Sequence, residues 1–414
     1  MDFNEEALEY HRGEKRPGKI GTSILTKVSG KRDLSLAYSP GVAVPCLEIA
    51  KDSEKVYEYT GKGNRVAVIS NGTAVLGLGN IGSLAGKPVM EGKALLFKYF
   101  AGIDAVDVEI DSENVDEVVR TIELISGTYG GINLEDFKAP ECFEIEARLK
   151  AKLGIPVFHD DQHGTAVVVG AGLLNALKIA GKEIGEVKVA INGAGAAGIA
   201  VGKMLKNLGV RKIIMCDSLG IISFSRKDLH ESKKEFAVDG DGDLVDAVRG
   251  SDVFIGVSKA LLLTCEMLKS MNKNPIVFAL ANPNPEIDWD VAHKVRDDLI
   301  MATGRSDFPN QVNNVLAFPG IFRGALDCRA SCINEEMKVA AVHALAGLVE
   351  EPTRDVFIVS PFEEEVVVGV ALAVVSAAVK SGVAIEGFDL DGYFDKLKRE
   401  FLDERIEEGK VSAL

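Results

Sequence analysis

None of the six cysteines (Cys46, Cys142, Cys216, Cys265, Cys328, Cys332) stands in a C-x-x-C pair, so the sequence offers neither a disulfide framework nor a zinc site. A reducing, cytoplasmic setting is the expectation. Positive charge is also short: 47 lysines and arginines against 62 acids leave a formal net charge of -15 and a pI near 5.0. Such a field repels phosphate backbones and anionic lipid, which argues against nucleic acid and membrane partners and requires an anionic substrate to meet a local positive site. The opening MDFNEEALEY lacks the apolar stretch of a secretory signal, so none is expected. The longest unbroken apolar run, VVVGVALAVVSAAV at 366–379, is shorter than the roughly 18 to 20 residues of a membrane span and reads as a buried helix. There is no repeat at solenoid spacing and no low-complexity tract.

What is present is an alternation of short β-branched runs with helical patterns, the signature of an α/β chain with largely parallel sheets. At 414 residues the chain exceeds what one core supports, so two domains are expected. Strands are predicted at RVAVIS (65–70), AVDVEI (105–110), YGGINL (129–134) and IPVFH (155–159). A long apolar helix follows at 163–181, then VKVAIN (187–192), KIIMCD (212–217), DVFIG (252–256), PIVFAL (275–280) and LIMAT (299–303). The division is therefore an N-terminal α/β substrate and metal domain over 1–162 and a Rossmann-like, doubly wound parallel-sheet nucleotide-binding domain over 163–318. Helices and a strand over 319–414 are expected to return to the first domain. The charged tail FDKLKREFLDERIEEGK reads as an amphipathic helix that either packs or stays solvated.

The pattern G-x-G-x-x-G occurs twice, as Gly77, Gly79, Gly82 and as Gly193, Gly195, Gly198. Dinucleotide binding needs a strand before it, a helix N-terminus after it to meet the pyrophosphate, and an acid about 20 residues on for the ribose. The second copy satisfies all three: VKVAIN precedes Gly193-Ala194-Gly195-Ala196-Ala197-Gly198, a helical period follows, and Asp217 ends the next strand. The first copy is followed by Gly86, Pro88 and Gly92, taken to forbid a continuous helix, and so reads as a glycine-rich loop beside a site. Asp217 accepts ribose hydroxyls and repels a 2′-phosphate, which favours NAD; Arg226 and Lys227 are placed to compensate for NADP.

Glu135 and Asp136 follow one predicted strand and Asp160 and Asp161 end another, on the rim where open α/β sheets bind ligands. Carboxylates meeting there repel unless protonated or shared with a hard cation such as Mg²⁺ or Mn²⁺. The alternative is that they cap the helices that follow. His159 and His163 read as satisfied structural histidines. Lys93 lies on the apolar face of Leu96, Phe97 and Phe100, either as a base with a lowered pKa or as a lysine that snorkels past the rings. Tyr38, in LAYSPGVA, is held by a Pro40-Gly41 turn.

In order along the chain, LAYSPGVA, VLGLGNIG, GKALLFKYFAGID, LEDF, FHDDQHGTA, GAGAAG, ANPNPE and NNVLAFPG resemble the malic enzymes, in their short-chain bacterial and archaeal NAD(P)-dependent branch, over roughly residues 15–380. The resemblance implies oxidative decarboxylation of malate to pyruvate with a divalent metal and NAD or NADP, usually in a homodimer or larger homo-oligomer. By motif it implies Glu135, Asp136 and Asp161 as metal ligands, with Asp160 pairing with Lys93. It makes Lys93 the base at the C2 hydroxyl and Tyr38 the acid at C3, and gives Asn282, Asn313 and Asn314 to substrate carboxylate and cofactor amide. Where larger relatives carry an arginine that grips the substrate, this sequence has Ala74, and backbone N–H groups near Gly72 and Thr73 are the candidate replacement. The competing readings are a metal-dependent dehydrogenase for another 2-hydroxy diacid and a nucleotide-binding sensor without turnover.

Overall fold

The computed structural model describes residues 2–13, 17–75 and 77–399. Strands Arg65–Ser70 (β1), Asp104–Glu109 (β2), Gly131–Leu134 (β3) and Val157–His159 (β4) form a parallel sheet in the order β2-β1-β3-β4. A second sheet follows, from Lys188–Asn192 (β5), Lys212–Asp217 (β6), Gly220–Ile221 (β7), Val253–Gly256 (β8), Ile276–Ala279 (β9) and Ile300–Thr303 (β10). Its order is β10-β9-β8-β5-β6-β7, parallel except for the two-residue β7. After β6 the chain returns to the far side of β5 to lay down β8, so a topological switch point opens between the carboxyl ends of β5 and β8, where ligands of such sheets bind.

Strand periodicity decides which core each residue joins. In β1, Val66 and Val68 face one core while Ala67 and Ile69 face another; in β8, Val253 and Ile255 part in the same way from Phe254. One central core joins the two sheets. It holds Val66 and Val68 of the first, Val189, Ile255 and Phe278 of the second, and the helix Asp160–Ala180 that runs from β4 toward β5. That helix is long and apolar enough to cross a membrane by length and composition; 72% of its apolar window is buried inside the protein. The helices Phe318–Asp327, Glu335–Gly347 and Glu365–Lys380 complete the same core. Phe318 and Phe322 meet Phe97 edge-on at 4.6 and 5.2 Å between ring centroids, and Arg323 donates to Asn64 Oδ1 at 2.7 Å, so this part of the chain packs against the first sheet's helix.

Three sequence readings are corrected. Ser83–Ala101 is one continuous helix through Gly86, Pro88 and Gly92. Pro88 removes an N–H from the ladder, at a cost of about 3 kcal/mol, but Met90, Ala94, Phe97 and Phe100 are buried along the helix and outweigh it. The long apolar helix begins at Asp160, not 163, so its first turn contains both aspartates. The described residues after 318 contain no strand. The run around Phe357 spends its backbone on a side chain instead, since Phe357 N–H donates to Asn310 Oδ1 at 2.8 Å. Helix Leu390–Lys398 begins the charged tail, most of which lies outside the described residues.

Candidate active site

The register of the first sheet aligns the acids. Leu134 pairs with Ile69 on one side and with His159 on the other, so the residues that follow β3 and β4 leave the sheet side by side at its carboxyl end. Glu135, Asp136 and Asp161 each offer a carboxylate oxygen, and these three atoms lie within 4.8 Å of one another. Glu135 and Asp136 are buried. Asp136 takes a left-handed backbone (φ 56°), and its N–H donates to Asp161 Oδ2 at 2.8 Å, which ties the two segments together. Burial and the neighbouring anions push the Glu135 carboxyl up to about 8 against the pull of Lys93. Burial and Asp136 push Asp161 up to about 7. Three clustered carboxylates, two of them held above the usual range, with no sulfur or nitrogen donor among them, form a donor set suited to a hard divalent cation.

Lys93 enters from the helix Ser83–Ala101. Its Nζ lies 2.5 Å from Asp160 Oδ2, 2.9 Å from Glu135 Oε1 and 4.3 Å from the centroid of the Phe318 ring. Burial works to lower its pKa, but the Asp160 and Glu135 carboxylates outweigh burial and hold the ammonium protonated. The lysine therefore does not snorkel, and in this arrangement its pKa is raised, contrary to the lowered value expected from sequence. Asp160 is fully buried and also accepts from Asn314 Nδ2 at 3.1 Å.

The remaining residues named from sequence divide by position. Asn314 sits behind Asp160, and Asn313 caps the turn Asn314–Leu316 through Val315 N–H. Gly72 and Thr73 lie beside the acids: Ala74 N–H donates to Asp136 O at 2.9 Å and Lys138 N–H to Thr73 Oγ1 at 3.0 Å. Tyr38 is set apart, 75% exposed on the segment that precedes the first sheet, and no described hydrogen bond joins it to Lys93 or the acids. Gly193, Ala194, Gly195, Ala196, Ala197 and Gly198 form the turn from β5 into the helix Ala196–Asn207. A Cβ on Gly198 would stand 1.8 Å from Gly193 O, and one on Gly193 2.8 Å from Val257 O, so both positions require glycine for close packing. Asn282 follows β9 on the same rim.

Asp217 ends β6 next to that turn, since Gly193 N–H donates to Cys216 O at 2.9 Å. Its oxygens are occupied: Arg226 donates to both, at 2.7 and 3.0 Å, Lys233 to Oδ2 at 2.7 Å and Leu219 N–H to Oδ1 at 3.0 Å. Although burial opposes it, these donors hold the Asp217 carboxyl well below the usual range. The cations that bond Asp217 are thus Arg226 and Lys233; Lys227 makes no such contact among the described residues.

Sequence reading missed three supports. Asn133 Nδ2 donates to Glu135 Oε2 at 2.9 Å from within β3. Gly164, one helical turn after Asp160, leaves room for its carboxylate, a signal present in DDQHG. Buried Glu146 accepts from His159 N–H and, at 2.9 and 3.0 Å, meets His163 Nε2, whose Nδ1 faces Lys338. His163 is satisfied as expected, whereas neither ring nitrogen of His159 finds a hydrogen-bond partner among the described residues, and burial lowers it to about 4, which keeps it neutral.

Two α/β layers with largely parallel sheets, a glycine turn at a switch point and a carboxylate triad beside a buried lysine define a nucleotide-binding fold of the enzyme type, with a donor set of the kind that suits a hard cation. Comparison with known proteins is specific. Residues 17–114 and 112–150 match the family model "Malic enzyme, N-terminal domain" and residues 162–379 match "Malic enzyme, NAD binding domain". The chain is 54% identical to the bifunctional malic/malolactic enzyme of Bacillus subtilis, over 96% of this chain and 98% of that one, and 53% identical to the NADP-dependent malic enzyme of Halomonas elongata, over 92% and 94%. It spans about half the length of other curated relatives. The crystal structure of malic enzyme from Pyrococcus horikoshii superposes with a TM-score of 0.91 at 43% identity, covering 98% of this chain and 99% of that one. The chain belongs to the malic enzyme family.

Proposed function

We propose that this protein oxidises malate to pyruvate and CO₂ while reducing NAD or NADP, with Mg²⁺ or Mn²⁺ held by Glu135, Asp136 and Asp161. The observation that carries this reading is the placement of the Lys93 ammonium between Asp160 and Glu135, beside the triad. The division of labour follows the two sheets, with substrate and metal on residues 1–162, cofactor on 163–318, and the described residues from 319 onward packing back on the first part.

The ion, when bound, supplies Lewis acidity to the C2 oxygen and offsets substrate charge. The chain's own residues do the rest. Lys93 is our base at the C2 hydroxyl, and Asp160, itself held by Asn314, fixes the ammonium direction. Glu135 is both a triad member and one of the two anions that keep Lys93 protonated. To act as base, Lys93 must first give its ammonium proton to water; with Glu135 among the residues that would hold the cation, fewer anions would oppose that loss, and the neutral amine then accepts the hydroxyl proton as hydride leaves C2 for the nicotinamide. Oxidation at C2 gives a β-keto acid, which loses CO₂ from C4 and leaves an enolate to be protonated at C3. Tyr38 is our acid for that step. Its exposure, with Leu34, Leu36, Val44 and Leu47 also exposed around it, supports a homo-oligomer in which a second copy covers this apolar segment and brings a tyrosine to the site. Gly72 and Thr73, beside the acids, are our candidates for the distal substrate carboxylate, with Asn313; Asn282, after β9, is our contact to substrate and nicotinamide amide. A cytoplasmic location fits the free cysteines.

The test is direct. Purified protein with malate, Mn²⁺ and either nicotinamide cofactor should yield pyruvate and reduced cofactor in equal amounts, and chelation should stop both. Absence of turnover with NAD and with NADP would refute the reading, and oxidation of tartrate in preference to malate would favour another 2-hydroxy diacid.

A further inference from the structure

The first glycine pattern lies in the first sheet's half of the protein, yet it reaches the second. A Cβ on Gly77 would stand 2.5 Å from the Asn282 carbonyl oxygen and 3.4 Å from Pro283 Cδ, so only glycine lets this loop meet the backbone that follows β9. The loop is closed on itself at its base, where Gly72 O accepts from Ile81 N–H at 3.1 Å and from Gly82 N–H at 3.2 Å. Nearer its tip, Val75 N–H donates to Gly79 O at 2.9 Å. It is also tied to the acids, through Ala74 N–H to Asp136 O and Lys138 N–H to Thr73 Oγ1. On the far side of the contact, Asn282 is backed by a buried carboxylate: Glu286 is fully buried and accepts from Ala281 N–H at 3.0 Å and Ser258 N–H at 3.3 Å. A Cβ on Gly256 would stand 2.2 Å from Glu286 Cδ, so the end of β8 is shaped around that carboxylate. Covalent and hydrogen-bonded links therefore run from Asp136 through Ala74 to Gly77, across to Asn282, and through Ala281 and Glu286 to the switch point beside Gly193.

We infer that the 72–82 loop is a spacer that sets the distance between the carboxylate triad and the cofactor crevice, with Gly77 and Glu286 as positioning residues for hydride transfer. The inference rests on the function proposed above. Hydride transfer is the one step that needs both halves in register, because the donor carbon is held by the metal side and the acceptor by the cofactor side. A displacement of about 1 Å can cost on the order of 100-fold in such a step. Decarboxylation of added oxaloacetate draws on the metal side alone.

The experiment separates the two steps in the intact protein. Gly77→Ala and Glu286→Gln are assayed for malate oxidation, for the primary isotope effect with malate deuterated at C2, and for Mn²⁺-dependent decarboxylation of oxaloacetate. NAD affinity by calorimetry and Mn²⁺ affinity by electron paramagnetic resonance are measured alongside. The expected result is malate oxidation reduced about 10- to 100-fold with a larger isotope effect, while oxaloacetate decarboxylation and Mn²⁺ affinity stay within about twofold. The glutamine variant keeps the volume but turns an amide toward one of the two backbone N–H groups, and should show the same split with weaker NAD binding; it decides the matter if Gly77→Ala does not fold. Normal malate oxidation in the folded variants would overturn the inference, and so would an equal fall in both reactions. Failure of the unaltered protein in both reactions would instead defeat the proposed function.

Discussion

Asp160 and Gly164 share one volume: a Cβ at position 164 would stand 2.0 Å from Asp160 Oδ1. The helix that begins at Asp160 has no side chain one turn later, and the carboxylate that orients Lys93 occupies that space. Gly164→Ala should therefore displace Asp160 from the lysine without altering a single charge. Turnover is expected to fall about 100-fold, and Asp160→Asn, which leaves the buried ammonium with one anion fewer, should lower stability by about 3 kcal/mol as well. Steady-state rates and urea unfolding of the two variants check this; wild-type turnover in Gly164→Ala would show that Asp160 does not govern Lys93.

The raised carboxyls give a signed pH dependence. Folded Glu135 titrates near 8 and Asp161 near 7, both above their unfolded values, so between about pH 4 and 8 these two groups bind more protons in the folded protein than in the unfolded chain. Their contribution is complete below the unfolded values and is lost as pH rises through the folded ones. Without divalent ions, stability should fall by about 1 kcal/mol per pH unit from pH 6.5 to 8, and saturating Mn²⁺ should remove the slope. Urea titrations with chelator and with Mn²⁺ measure it. A metal-free slope of zero or of opposite sign would contradict the burial of these acids.

The function proposed above makes Asp217 the residue that selects the cofactor, and its oxygens already accept four hydrogen bonds from Arg226, Lys233 and Leu219. A ribose hydroxyl has to compete with them, and a 2′-phosphate finds two cations within reach. Discrimination between NAD and NADP should be less than about tenfold. Lys233→Ala should weaken 2′,5′-ADP binding about tenfold while sparing 5′-ADP, and Asp217→Asn should strengthen it. Calorimetry with the two nucleotides decides; equal effects on both would remove Lys233 from selectivity.

If a second copy supplies Tyr38, two inactive variants should repair each other. Mixing Tyr38→Ala with Lys93→Ala should restore up to about a quarter of wild-type rate, because mixed dimers contain one site with both residues intact. No restoration in demonstrably mixed dimers would place Tyr38 in its own chain's site or outside catalysis.

Much of the architecture was legible because parallel strands buried on both faces announce themselves: RVAVIS and KIIMCD coincide with β1 and β6 to the residue. The acids were legible as a group since each follows a strand, and register then places them together. Tertiary packing hid the rest. Pro88 broke the helical pattern on paper, but buried Met90 and Phe97 carry the helix through it. The raised pKa of Lys93 depends on Asp160, 67 residues away, and on Glu135, and periodicity alone holds no information about such separations. Lys233 was missed because it reaches Asp217 from a separate four-residue helix.

The most direct measurement is Mn²⁺ binding followed by electron paramagnetic resonance, with NAD binding measured in parallel, in the unaltered protein and in Asp161→Asn. One ion per chain should bind to the former and be lost or weakened at least tenfold in the latter, with NAD affinity within about twofold, since the carboxylate triad and the glycine turn lie on different sheets. Unchanged Mn²⁺ affinity in Asp161→Asn would contradict a cation site built from Glu135, Asp136 and Asp161.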